Sequence, residues 1–211
     1  MANCIIFCAA GFTGLLEPPA PDDFLIAADG GLKHASSAQL TPDAIVGDFD
    51  SLGFIPEGAE VFPVEKDDTD SMLAIRMGLE RGCRTFYLYG ALDGDRLDHT
   101  VANFQALRFL RSRGARGFLI GNHQIVTLIE NEALHFPAGC RGDLSVFAYG
   151  GTARAVTLEG LYYPLNRQEL TPDFPLGVSN HFTGEEAAIR VENGALLVLW
   201  SRQAPLPEVM A

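Results

Sequence analysis

Along the first 130 residues, short apolar runs alternate with stretches whose apolar positions recur every three to four residues. Residues 4–10, 24–28, 44–46 and 85–89 are short, continuously apolar, and run into Gly or Asp. That pattern predicts buried strands emerging into loops. Helices are predicted over 31–39, 69–81 and about 99–113. Met72, Ile75 and Leu79 share one stripe of the second helix, and Val101, Phe104, Leu107 and Leu110 one stripe of the third. Gly82 and Gly114 supply the stops. Strand and helix in alternation predict an α/β layered unit.

From about Glu132 the period shortens. Residues 144–149, 153–158, 187–191 and 195–200 read as strands, punctuated by Gly150-Gly151, Gly160 and Asn193-Gly194. Asn-Gly between two such runs predicts a hairpin. The expected organisation is an α/β domain over 1–130, a small antiparallel β domain over 133–202, and a polar, proline-containing tail over 203–211. Internal repeats are not evident.

Composition narrows the function. The chain has 211 residues, 47% of them hydrophobic, a formal charge of −12 and a pI near 4.7. So acidic a chain is not a non-specific nucleic-acid binder, which needs a basic face to displace counterions. Anionic substrates must arrive with a cation or meet local Lys and Arg. Cys4, Cys8, Cys83 and Cys140 form no C-x-x-C pair and read as inert buried thiols. Met1-Ala2-Asn3-Cys4 has no basic n-region, so a targeting segment is not expected, and no stretch approaches the roughly 18 apolar residues of a spanning helix. The expected location is cytoplasmic, away from membranes.

Chemically able residues gather at the predicted strand ends. Asp48 and Asp50 lie in Gly47-Asp48-Phe49-Asp50-Ser51. In extended backbone both carboxylates share a face, roughly 7 Å apart, and can hold a hard cation such as Mg²⁺. The same residues also suit a solvated turn. In Lys66-Asp67-Asp68-Thr69-Asp70, Asp68 or Thr69 would cap a helix and Asp70 complement its dipole. Three acids crowded there repel one another unless a cation intervenes. Gly90-Ala91-Leu92-Asp93-Gly94-Asp95-Arg96-Leu97-Asp98-His99 again joins a strand to a helix. Its glycines permit close backbone approach, Arg96 has the planar fork that matches phosphate, and Asp98 doubles as a cap. Ala27-Ala28-Asp29-Gly30-Gly31 is a fourth strand end. Neither a Walker loop nor a dinucleotide glycine fingerprint is present. In open α/β sheets ligands bind at the carboxyl ends of strands, and all four motifs fall in that location class.

These segments resemble the thiamine pyrophosphokinase family. Its pattern runs Asp-Gly-Gly, Gly-Asp-x-Asp-Ser, Lys-Asp-x-Thr-Asp, then a Gly-rich stretch ending Arg-x-Asp-His. Here it is matched in order by Asp29-Gly30-Gly31, Gly47 to Ser51, Lys66 to Asp70 and Arg96 to His99, with Asn103 a turn beyond. Gly160 to Leu165 and Gly177-Val178-Ser179-Asn180 are similar to two further family segments. The Gly-rich stretch departs from the family's Gly-Gly-Arg, reading Gly94-Asp95-Arg96.

The resemblance implies a Rossmann-like α/β nucleotide domain followed by an antiparallel β-sandwich domain. It implies a homodimer with sites between subunits, and Mg²⁺-dependent transfer of pyrophosphate from ATP to thiamine. Asp48, Asp50, Asp67 and Asp70 carry over as metal ligands. Asp29, Gly30, Gly31, Lys66, Asp67, Thr69, Arg96, His99 and Asn103 carry over to the ATP site, and Ser179 and Asn180 to thiamine. Some members stack an aromatic near the last strand on thiamine; Trp200 is the candidate. Catalysis would fall to Asp48, Asp50, Asp70, Arg96 and Asp98, with Asp98 orienting or deprotonating the hydroxyl. The rivals are a pterin pyrophosphokinase, a Mg²⁺-dependent phosphatase and a non-catalytic sensor. Leu52 stands where the phosphatase motif carries Thr or Val, and a pure binder has no need of so many acids.

Overall fold

The computed structural model describes residues 2–47, 60, 61 and 68–210. Asp48, Asp50, Lys66 and Asp67 lie outside them. The chain forms two compact units that meet at Asn122/His123.

In the first unit, β1 (Cys4–Phe7), β2 (Phe24–Ala28), β3 (Ala44–Gly47), β4 (Glu60–Val61), β5 (Thr85–Tyr89) and β6 (Arg116–Ile120) lie in the order β6-β5-β1-β2-β3-β4. All these pairings are parallel. Every residue of β1 and β2 is buried, as expected of parallel strands covered on both faces. That double burial explains the continuous apolar runs. Strand order runs outward from β1 through β2 to β4, then returns to place β5 on the other side of β1. The carboxyl ends of β1 and β5 therefore border a topological switch point, where an open sheet leaves a crevice.

Helices α1 (Leu32–Ser37), α2 (Asp70–Glu80) and α3 (Leu97–Ser112) connect these strands. The predicted helices hold, but their buried faces differ. α2 buries Ala74, Ile75 and Gly78, leaving Met72 and Leu79 partly exposed. α3 buries Asn103, Ala106, Leu107 and Leu110, while Val101 is exposed. Ile75, Leu107 and Leu110 of the expected stripes are buried, and the small residues Ala74, Gly78 and Ala106 join them where backbones approach closely. A Cβ on Gly78 would lie 2.6 Å from Phe86 and 2.7 Å from the Cys4 sulfur.

The second unit contains two antiparallel sheets. One runs β12 (Asn180–His181), β9 (Asp143–Ala148), β14 (Ala195–Ser201), β7 (Gln124–Glu130). The other runs β11 (Leu165–Leu170), β10 (Ala153–Glu159), β13 (Ala187–Arg190), β8 (Ala133–Phe136), β15 (Glu208–Met210). β7 pairs with β14 from end to end, which puts residues 123–130 in this unit and not in the first, where the sequence reading put them. The expected tail is also structured, since β15 pairs with β8.

The expected Asn193-Gly194 hairpin does not form. β13 and β14 lie in different sheets. A tight hairpin of type I′ needs positive φ at both central residues, and Asn193 is not among the residues with positive φ. Gly194 instead has φ 109° and donates its N–H to Asn131 Oδ1 at 2.9 Å, turning the chain from one sheet into the other. Phe136 on β8 meets Trp200 on β14 edge-on, 5.5 Å between centroids, and Phe182 at 5.0 Å. The two sheets thus share an aromatic core.

Candidate active site

The backbone beyond β1 and β5 stays joined past the strands themselves. Cys8 donates to the Tyr89 carbonyl at 2.8 Å, and Ala10 to the Gly90 carbonyl at 3.0 Å. Gly90 makes this possible, with φ 67° and a Cβ position only 2.5 Å from the Cys8 carbonyl oxygen. At the end of β2, Asp29 takes φ 47° and opens a 3-10 turn, Asp29–Gly31. A Cβ on Gly31 would fall 1.9 Å from the Phe7 carbonyl oxygen. Gly31 is required by packing on β1.

Together with the first turns of α2 and α3, these ends enclose a cavity of about 530 Å³. Its chemistry comes from Asp29, Thr69, Asp70, Asp95, Arg96 and His99, over a floor made by Cys8 to Ala10, Gly90 and Ala91. Thr69 caps α2, accepting from the Met72 N–H at 3.3 Å, and Asp70 sits in that first turn, where a carboxylate complements the dipole. Burial first, and then the Asp70 charge, push the Cys8 thiol up to about 12. Cys8 thus stays protonated, neither nucleophile nor soft metal ligand.

A hydrogen-bonded chain braces the cavity wall. Thr69 Oγ1 and Ser71 Oγ lie 3.0 Å apart, Ser71 Oγ donates to Asn103 Oδ1 at 3.2 Å, and Asn103 Nδ2 donates to the Ala91 carbonyl at 2.8 Å. Asn103 is 7% exposed. It joins α2, α3 and the Gly-rich loop. Ser71 is the member the sequence reading missed, because its role depends on how α3 lies against α2. Asn103→Ala is expected to lower the unfolding free energy by about 1–3 kcal/mol, the penalty of leaving a buried carbonyl unpaired. Urea denaturation measures it.

Arg96 and Asp98 face each other in a bidentate pair, Nε to Oδ1 at 3.3 Å and Nη2 to Oδ2 at 2.6 Å. Their side chains are 69% and 65% exposed. The Arg96 hydrogen bond is the main cause holding the Asp98 carboxyl below the usual range. A group lowered in this way contributes stability above its unfolded pKa and loses it as pH falls through the folded one. Asp98 is therefore charged throughout the neutral range. In carboxyl ¹³C NMR, Arg96→Gln is expected to move its midpoint upward toward the ordinary carboxylate value.

Of the residues expected at the ATP site, Asp29, Thr69, Arg96, His99 and Asn103 line the one cavity, as does Asp70. Gly30, Gly31 and Asp98 do not line it. Asp98 points to Arg96 in solvent. In the second unit Ser179 is exposed, its N–H donating to Ser145 Oγ at 3.1 Å. Asn180 is buried, and its amide is engaged within the unit. Oδ1 accepts from the Tyr163 and His181 N–H groups at 2.9 Å each, and Nδ2 donates to the Tyr163 carbonyl at 2.7 Å. It clamps a loop and does not offer its amide outward. Trp200 is 0% exposed against Phe136. A ring buried in the core cannot serve as an open stacking platform, which corrects its expected role.

Fold and site define a two-part class of protein: an α/β unit with an acid-lined cavity at a strand switch point, and a unit of two antiparallel sheets. Residues 20–118 match the family model for the thiamin pyrophosphokinase catalytic domain, and residues 133–198 the thiamin pyrophosphokinase vitamin B1 binding domain. The chain belongs to the thiamin pyrophosphokinase family. It is 27% identical over 192 residues to the thiamine pyrophosphokinase of Bacillus subtilis, covering 83% of this chain and 86% of that one. The crystal structure of a thiamin pyrophosphokinase family protein from Enterococcus faecalis superposes with a TM-score of 0.80 at 26% identity, covering 95% of this chain and 99% of that one. Thiamin pyrophosphokinase from Candida albicans shares the fold at 15% identity, with a TM-score of 0.73 and coverage of 95% and 88%.

Proposed function

We propose that this chain is a thiamine pyrophosphokinase, moving the pyrophosphoryl group of ATP to the hydroxyl of thiamine and releasing thiamine diphosphate and AMP. The observation that carries the reading is the ordered match to both family domains over one chain. The second match, to a vitamin B1 binding domain, favours thiamine over a pterin alcohol and over simple phosphate release.

Phosphoryl-type transfers need positioning and charge neutralisation more than covalent chemistry from the protein. The cavity supplies carboxylate and hydroxyl oxygens from Asp29, Thr69, Asp70, Ser71 and Asp95, and its one thiol is protonated. That donor set fits Mg²⁺. Mg²⁺ takes part of its shell from substrate oxygens and water. Asp70, with Asp48, Asp50 and Asp67, would hold the ion. When bound, Mg²⁺ neutralises the phosphate chain and polarises the phosphorus under attack. Arg96 would clamp a phosphate, which requires it to leave Asp98. Freed of Arg96, Asp98 would gain proton affinity and orient the thiamine hydroxyl.

We read the first unit as Rossmann-like and the second as a β-sandwich, a reading supported by the parallel switch-point sheet and by the aromatic core shared by the two antiparallel sheets. A homodimer is supported by exposed Tyr162, Tyr163, Phe174, Leu176 and Val178 in the second unit, a clustering usual for interaction surfaces. No helix among the described residues is long and apolar enough to cross a membrane, consistent with the cytoplasmic location we propose. Incubation with ATP, Mg²⁺ and thiamine should yield AMP and thiamine diphosphate in equal amounts by mass spectrometry. Release of inorganic phosphate without AMP, or turnover of a pterin alcohol alone, would overturn the reading.

A further inference from the structure

The arginines of this acidic chain are unevenly spread. Between Arg76 and Arg116 there are eight of its 15 basic residues and four acids, although the whole chain carries −12. Three of these arginines meet in a groove of about 410 Å³ formed by Arg76, Leu79 and Glu80 of α2, Arg84 after it, and Phe109 and Arg113 at the end of α3. The groove shares no lining residue with the catalytic cavity.

Its guanidinium groups are held in place before any ligand arrives. Arg76 lies 5.1 Å and Arg113 3.7 Å from the centroid of the same Phe109 ring, a contact favourable to a cation. Asp68 pins Arg76 through Nε at 2.8 Å and Nη2 at 3.3 Å. Arg113 Nη1 donates to Ser112 Oγ at 3.1 Å, and Arg84 Nη1 to the Cys83 carbonyl at 3.0 Å. Each guanidinium keeps donors unspent. The dipole at the end of α3 accounts for a cation at Arg113, but not for Arg76 in the second turn of α2. Asp68 offsets Arg76 and Glu80 lies in the lining, which still leaves an excess of positive charge around one space for an anion to meet.

We propose that this groove is a second anion site, selective for a small multivalent phosphate such as pyrophosphate or the diphosphate end of a phosphate ester. Pre-stacked arginines lose little freedom on binding, and their planar forks match phosphate oxygens in pairs. Phe109 is already covered by cations, so the site reads phosphate and not an aromatic base.

The test is calorimetric titration of inorganic pyrophosphate into the full chain in EDTA, which removes metal-dependent binding at the catalytic cavity. Wild type and Arg96→Gln are expected to bind alike, with affinity falling as salt rises. Arg84→Gln/Arg113→Gln is expected to weaken binding at least about tenfold, the scale of one lost charge-assisted bond, while thiamine diphosphate formation persists. Should the double variant unfold, arginine Nε–H resonances of the wild type decide instead: Arg84 and Arg113 must shift on titration. No metal-free binding in wild type, loss with Arg96→Gln, or shifts confined to Arg96 would overturn the proposal. The proposal stands apart from the catalytic reading, which is tested by the turnover assay.

Discussion

Asp70→Asn is expected to lower kcat/KM for thiamine diphosphate formation by about 10²–10³-fold, the usual cost of removing one group that stabilises transition-state charge. Asp70 is at once a lining residue of the cavity beyond β1 and β5 and the acid of the first turn of α2. Asparagine keeps its size while deleting its charge. The structural cost should be confined to the lost dipole interaction, about 0.3–1 kcal/mol, because the cap itself belongs to Thr69. A steady-state comparison at saturating Mg²⁺, paired with a thermal melt, separates the two effects. Near-normal turnover would remove Asp70 from the metal and phosphate machinery.

The second large effect concerns stability. Trp200→Ala should cost about 3–5 kcal/mol, the range for deleting a fully buried large aromatic. Trp200 has no exposed surface, and it joins the two sheets of the second unit through Phe136. Trp200→Phe should recover a good part of the loss, and the KM for thiamine should stay near wild type in that variant. A raised KM with unchanged stability would restore the stacking role that burial argues against.

What could be read from the chain followed burial. β1, β2 and β5 announced themselves because parallel strands are covered on both faces, and α2 because Thr69 and Gly82 mark its ends. Side-chain volume misled where backbones pack closely: Val101 looked like core and is solvent-facing, while Asn103, a polar residue, is buried and braces the cavity wall. Asn193-Gly194 misled because a dipeptide signals a turn without saying which sheets it joins. β7, β8 and β15 were missed since their pairing partners lie far along the chain, and β11 because its middle four residues are polar and exposed. Of the charge clusters at strand ends, Asp29, Asp70, Asp95 and Arg96 line one cavity, while Asp48, Asp50, Lys66 and Asp67 lie outside the described residues. The direction of each carboxylate was not legible, and Asp98 shows why. Its partner is two residues away, and local pairing outcompetes the cavity.

That pairing makes Asp98 a tethered competitor for Arg96. Any anion seeking the guanidinium must first outbid a carboxylate that is always at hand. Chloride and single carboxylates offer no advantage over it, whereas a polyphosphate brings several charges at once. With Arg96 as the phosphate clamp proposed above, the resting pair would act as a low threshold, since an exposed ion pair contributes little, disfavouring simple anions relative to ligands that bring several charges.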